Sequence, residues 1–291
     1  MQAGIVGIYA ESHPLFAEIP IEMIQGQAKV FGQEHTLPSV GFRAINSTYT
    51  ANEGQVERVT DPLAIMGGKL TIDRFLTATG GEGLAASRIR MQLKNGAHYF
   101  AHSVIKGDQA TSASQFNGLQ ARATSSTQKL ANGATANGTP LSLAKLDSAI
   151  SNVMDPTHIF MSVAMRDRMS AAMRSSTISG NINMAIDQFG KSVMTYNGLK
   201  IIAIGGAAHA YDTLPFTEAA SSGTSTATSV YVVSVGLDGF HAIAHSMPTV
   251  RALADTGETD NWMLDWYVGT CLERPNAVCR LWTISDAAVT A

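Results

Sequence analysis

Residues 67–108, GGKLTIDRFLTATGGEGLAASRIRMQLKNGAHYFAHSVIKGD, pass from an alternating pattern into the longest helical pattern of the chain. In KLTIDRFL apolar and polar residues alternate, which predicts a strand, because successive strand side chains point to opposite faces. From about Glu82 to Lys106 the period changes. Ala85, Ile89, Leu93, Phe100 and Val104 fall on one helical face, while Arg88, Arg90 and Lys94 decorate the others. Gly96 inside this helix costs about 1 kcal/mol relative to Ala, so packing must support that turn.

Upstream, residues 1–34 mix Gly, Pro and isolated hydrophobics without a clear period, and read as an arm that has to lie on something else. From Leu37, Val40, Phe42 and Ala44 share one face with Arg43 on the other. The polar stretch NSTYTANEG and then QVERVTDPLAI follow. This predicts a long β-hairpin over about Leu37–Thr71, with few apolar residues to hold its own shape.

Downstream, residues 107–139 are rich in Ser, Thr, Gly and Asn and read as an irregular connection. A second helix is expected from Ser142, its N-cap, with Leu143, Leu146, Ile150 and Val153 buried and Asp155-Pro156 ending it. HIFMS is a short strand, and Ser162 caps a third helix carrying Met165, Met169 and Met173 at i, i+4, i+8. Asn197-Gly198 between two β-rich runs predicts a tight hairpin. TEAASSGTSTATS reads as a low-complexity loop before the strand VYVVSVG, and the last stretch as two aromatic-rich strands joined around Arg274-Pro275-Asn276. This mixed order of elements indicates an α+β fold.

The chain has 291 residues, 45% of them hydrophobic, enough for a sizeable core. Charged residues make up only 15%, well under the usual quarter, as expected of a surface largely covered by partners. The formal net charge of -3 gives no overall footprint of a nucleic-acid binder. Charge is uneven, however: residues 77–130 hold six Lys/Arg against two Asp/Glu, between two acidic stretches. Cys271 and Cys279 form neither a redox nor a zinc pair, and a reducing compartment fits them. With no basic, apolar leader and no long apolar run, the chain is expected to be neither secreted nor membrane-spanning.

Each motif of a chemistry-bearing type lacks a part that its chemistry needs. Gly81-Glu82-Gly83-Leu84-Ala85-Ala86 fits a dinucleotide-binding turn, but the second strand with its acidic end is missing, leaving a glycine-rich strand-to-helix turn. Gly67-Gly68-Lys69 lacks the first Gly and the Ser/Thr of a phosphate loop, and reads as a turn. His98/His102 and His241/His245 have the i,i+4 spacing of zinc ligands, yet no third ligand is signposted. Gly223-Thr224-Ser225-Thr226-Ala227 is low-complexity sequence rather than a nucleophile elbow. Cys271 has no adjacent His to act as its base, and the Met stripe reads as core filler. No catalytic residue, metal or cofactor is expected.

Taken in order, LPSVGFRAIN with its polar tip, GGKLTIDRFL, the long helix ending in IKGD, QFNGLQ, SLAKLDSAISNV, HIFMSVAMRDRM and DQFGKSVMTYNGLKIIAIG resemble the Hong Kong 97-type major capsid proteins of tailed bacteriophages. The resemblance runs from about Leu37 to Trp282. It rests on the ordered set rather than on one signature. It implies an N-terminal arm (1–36), an extended loop (37–71), a peripheral domain with a spine helix (72–120), an axial domain (121–250) and strands returning to the peripheral domain (251–291).

The implied function is structural: self-assembly through hexamers and pentamers into an icosahedral virion shell around double-stranded DNA, built in the host cytoplasm. A separate scaffolding protein, a portal and a decoration protein are the further partners implied. The lysine–asparagine crosslinking of some members is not carried over, because Lys69 has no matched partner. Two residue sets are singled out. Glu53, Glu57 and Arg58, near the hairpin tip, are expected to meet a neighbouring subunit. Arg88, Arg90 and Lys94 are expected to face inward, toward scaffold or DNA. The alternatives are an encapsulin-like nanocompartment with the same fold and, from a different class, an oxidoreductase using the GEGLAA turn.

Overall fold

The computed structural model describes residues 2–80, 82–175, 178, 182–186, 192–206, 211–221, 223, 225–255 and 257–291. The chain opens with helices α1 (Gln2–Ser12) and α2 (Pro14–Glu18) and strand β1 (Ile21–Met23). Strands β2 (Ala28–Thr36), β3 (Gln55–Pro62) and β4 (Ala64–Asp73) follow, then helices α3 (Arg74–Gly80) and α4 (Glu82–Lys106). The middle holds α5 (Leu119–Arg122), β5 (Lys129–Ala131), α6 (Leu143–Ser151), β6 (His158–Ser162) and α7 (Val163–Met173). Next come β7 (Ile182–Ile186), β8 (Ser192–Tyr196), β9 (Leu199–Ile204), β10 (Glu218–Ala219) and β11 (Ser225–Val233). The last strands are β12 (Phe240–Ala244), β13 (Thr249–Ala252), β14 (Thr259–Leu272) and β15 (Val278–Ser285).

Strands β1-β12-β14-β13 run in that order in one sheet, with β4 also on β14, and β5-β15-β11-β6-β9-β8-β7 form the other large sheet, with β10 on β11. The second sheet separates two apolar cores. Along β6, β9 and β11 the side chains alternate between them: Phe160, Ile202, Ile204, Tyr231 and Val233 enter one core, and Ile159, Met161, Ile201, Val230 and Val232 the other. Burial on both faces explains why these strands read as unbroken apolar runs.

The first core is centred on α4. Leu93, Ala97, Phe100, Ala101, Val104 and Ile105 are buried along it, and the Phe100 ring lies 4.8 Å from that of Trp266 on β14. In the second core Met165 and Met169 of α7 are fully buried, as filler. Ser162 caps α7, accepting a hydrogen bond from the Met165 amide at 3.2 Å, and Ser142 caps α6 in the same way. Asn197 and Gly198 both have positive φ, 48° and 80°, which closes the tight turn between β8 and β9.

Several expectations need correction. The N-terminal stretch does lie on the rest of the molecule, but it has regular structure that its lack of a period did not predict. Residues 2–12 and 14–18 are helical, and Ile5, Tyr9, Leu15 and Phe16 are buried in the first core together with α4 and Trp266. Strongly polar residues occur only at the ends of α1, Gln2, Glu11 and Ser12, so no polar face sets off its apolar residues as a helical stripe. The hairpin begins earlier than expected: β2 pairs with β3, from Ala28↔Pro62 to Thr36↔Gln55, while β4 leaves it to pair with β14. Residues 37–54 form a strandless tip, and Val40, Phe42 and Ala44 alternate without a partner strand. KLTIDRFL is a strand only to Asp73, where α3 starts. Gly67-Gly68-Lys69 is no turn but part of β4, and a methyl on Gly67 would overlap the Leu264 carbonyl of β14. The two terminal strands lie in different sheets, β14 beside β4 and β15 beside β11.

Gly96 now has its reason. A Cβ there would overlap the Tyr9 hydroxyl and touch Leu264, so the glycine is the gap through which α1 docks on α4. Gly96→Ala should lower stability by roughly 1–3 kcal/mol, the usual range for overpacking, despite alanine's better helix propensity. In urea denaturation, the double substitution Tyr9→Phe/Gly96→Ala should recover part of that loss. Simple additivity of the two would refute the docking account.

Candidate assembly surfaces

The hairpin tip combines apolar side chains with no core. Val40, Phe42 and Ile45 are 97%, 109% and 92% exposed, and Leu37, Tyr49 and Val56 are exposed beside them. Short local contacts shape the tip: Arg43 donates to the Ser47 carbonyl at 3.1 Å and lies over the Tyr49 ring at 5.5 Å. A patch of this kind on a lone subunit marks a contact surface.

The hairpin base, by contrast, is fixed. Asp61 of β3 is buried and paired with Arg122 of α5 at 2.8 Å, and Arg122 also donates to the Thr270 carbonyl of β14 at 2.7 Å. Gln33 donates to the Leu272 carbonyl at 3.2 Å. The geometry is a rigid root carrying an apolar, unsupported tip.

The predicted tip residues separate. Glu53 lies in the strandless tip, whereas Glu57 and Arg58 are consecutive on β3, opposite Gln33 and Gly32, and so point to opposite faces of the hairpin. All three are exposed, but one surface cannot hold both Glu57 and Arg58. On α4, Arg90 and Lys94 share a shallow groove with His98 and with Ile8, Glu11 and Ser12 of α1. Arg88 is half-buried and outside that groove.

The enzyme-like motifs dissolve. Gly81 lies outside the described residues, and the segment before α4 is helix α3 rather than the strand a dinucleotide turn requires. His98 packs edge-on against His13 and His102 against Tyr211, so the pair is split between neighbours. His241 and His245 lie along and just beyond β12, where four residues span about 13 Å, too far to share an ion. Thr224 of the serine-elbow candidate is outside the described residues. Cys271 does have a histidine beside it, His241, directly opposite on β12. Burial pushes its thiol above the ordinary range, which disfavours a nucleophile.

No local pattern singles out Glu218, which lies in the stretch read as a low-complexity loop. Its carboxylate pairs with Lys106 at the end of α4 and with Arg280 of β15 at 2.9 Å, and accepts from the Ser229 hydroxyl. Burial alone would raise the Glu218 carboxyl. The Lys106 and Arg280 charges and the hydrogen bonds outweigh it and hold the carboxyl below its ordinary value. No signal short of the three-dimensional pairing could have found it.

No protein-family model matches the chain, and no curated protein matches it in sequence. Solved structures do match. The holo-SrpI encapsulin complex from Synechococcus elongatus is 13% identical, with a TM-score of 0.68 over 95% of this chain and 89% of that one. The capsid of a native GTA particle is 14% identical, with a TM-score of 0.65 over 94% and 91%. The chain has the Hong Kong 97-like capsid fold. Another similar structure, from Mycobacterium phage Bobi, has 12% identity and a TM-score of 0.62 over 92% and 89% of the two chains. Helix α4 falls in the stretch expected to hold the spine helix, and β2–β3 with its tip overlaps the stretch expected to be the extended loop. Among the described residues no helix is long and apolar enough to cross a membrane.

Proposed function

We propose that this chain is a shell subunit, the major capsid protein of a tailed bacteriophage, which tiles an icosahedral particle around double-stranded DNA through hexamers and pentamers. One observation carries the reading: an apolar tip held out on a rigid root, with nothing among the described residues to cover it. The ordered resemblance of its sequence segments to tailed-phage capsid proteins favours the phage over other users of the fold. Scaffolding, portal and decoration proteins are then its further partners, and the host cytoplasm its place of assembly. No step of this function calls for catalysis.

An encapsulin-like compartment is the second reading. Its specific support is the match to an encapsulin, with a TM-score of 0.68 over 95% of the chain. Cryo-electron microscopy of particles purified from the native source separates the two. A DNA-filled shell with a portal at one vertex supports the phage reading, and a DNA-free shell with protein cargo overturns it.

Under the phage reading Arg90 and Lys94, with Arg88 nearby, face inward and attract an acidic scaffold. Replacing all three with Gln should reduce scaffold incorporation more at low salt than at high salt, because such exposed charges are screened within about 10 Å at 0.1 M. Equal incorporation in both buffers, measured by gel densitometry of assembled particles, would exclude that contact. Glu53, Glu57 and Arg58 serve the subunit interface, with Arg58 and Glu57 reaching different neighbours. Arg58→Glu should lower the assembly yield.

A further inference from the structure

Three adjacent strands bring four ligand-type side chains to one place beneath the hairpin root. His241 on β12 and Cys271 on β14 are direct cross-strand partners, and Glu273 follows Cys271 by two residues on the same face. Glu22 comes from β1, on the other side of β12. One ligand atom each from His241, Cys271 and Glu273 lie within 4.8 Å of one another. His241 Nε2 is 3.1 Å from Glu22 Oε2, and Cys271 Sγ is 3.8 Å from Glu273 Oε1. A tetrahedral zinc ion with one sulfur, one nitrogen and two oxygen ligands sets its ligand atoms about 3.3–3.7 Å apart.

A cation already sits among these groups. The Lys29 ammonium, reaching in from β2, is 2.6 Å from Glu22, 3.2 Å from His241 Nε2, and paired with Glu273. His241 and Cys271 are buried, while Glu22 and Glu273 border an open cavity of about 930 Å³. That cavity gives a path from solvent. Glu34 and Asp238 also line it, so an outgoing Lys29 would find other carboxylates.

We propose that Glu22, His241, Cys271 and Glu273 form a site for one divalent transition metal of the zinc class, which Lys29 fills in the metal-free chain. A thiolate, an imidazole and two carboxylates suit zinc or cobalt rather than calcium or magnesium, whose ligands are oxygens. The exchange balances in charge. With Lys29 in place, two carboxylates and one ammonium leave one negative charge. With the metal in place, the Cys271 proton passes to solvent and Lys29 withdraws. Two carboxylates, a thiolate and a divalent ion again leave one negative charge. No oxidant or further reactant is needed. Since Lys29 is also a root residue of the hairpin, the same exchange frees one of the ties that hold the hairpin on the body.

The test uses the purified full chain and Co²⁺ alone, followed by Zn²⁺ competition. One Co²⁺ per chain is expected, with a near-ultraviolet thiolate-to-cobalt band that Zn²⁺ removes. Cys271→Ser should abolish the band, and Lys29→Met should tighten binding at least tenfold by removing the competing cation. Circular dichroism checks that both variants are folded. The wild-type spectrum is decisive without any variant: no bound cobalt, or cobalt without a thiolate band, overturns the assignment. So does a folded Lys29→Met chain that binds no tighter than wild type.

Discussion

Replacing Val40, Phe42 and Ile45 together with Asp is expected to give a folded subunit that no longer assembles. These side chains touch no core of their own chain, so the folded monomer should lose little, within about 0.5 kcal/mol per exposed site. In a shell each would be covered by a neighbour, and burying such a side chain contributes roughly 1.5–3 kcal/mol. Three of them per subunit amount to roughly 5–9 kcal/mol of association on that scale, and three carboxylates would be unfavourable in the same contact. Sedimentation velocity and thermal melting read the two halves separately. Particles formed at wild-type yield would remove the tip from the assembly interface and weaken the shell reading with it.

Glu218→Gln is expected to cost about 3–5 kcal/mol, because it leaves Lys106 and Arg280 facing each other without their shared carboxylate. The same group sets an acid limit. Its folded carboxyl titrates below the ordinary value of 4.5, so its stabilisation is complete above that pH and is lost as pH falls through the lower folded value. Urea denaturation should therefore show a wild-type stability that declines below about pH 4.5, and a Glu218→Gln chain with a flatter acid limb. Parallel acid limbs would mean that other carboxylates govern the decline.

How much of this could be read beforehand follows from where the information lies. The spine helix, with its Leu93/Phe100/Val104 face, the caps at Ser142 and Ser162 and the Asn197-Gly198 turn are local, and periodicity or turn chemistry reveals them directly. Helix α1 was hidden because it has polar residues only at its ends, so no polar face outlines an apolar stripe. The hairpin was displaced because Val40, Phe42 and Ala44 alternate like a strand yet pair with no strand among the described residues, while Gly32 interrupts the real strand β2. Glu218 and the His241/Cys271 pair depend on residues far apart in sequence, which no local pattern joins. Of the two residue sets singled out near the assembly surfaces, Arg90 and Lys94 do share a groove, whereas Glu57 and Arg58 are divided by the two-residue period of the strand that carries them.

The pairing of early strands with late ones also fixes an order in time. Strand β4 finds its partner about 190 residues downstream, β1 waits for β12, and β5 for β15. At a synthesis rate of about 5–20 residues per second, β4 waits roughly 10–40 s before β14 leaves the ribosome. Contacts of such long range also form slowly once both partners exist. Neither large sheet can close on a partial chain, so a ribosome that stops early releases a product without a body on which to mount its hairpin. If the chain builds a shell as proposed, such fragments would lack the body a lattice contact needs, and the strand order would keep them out of the particle.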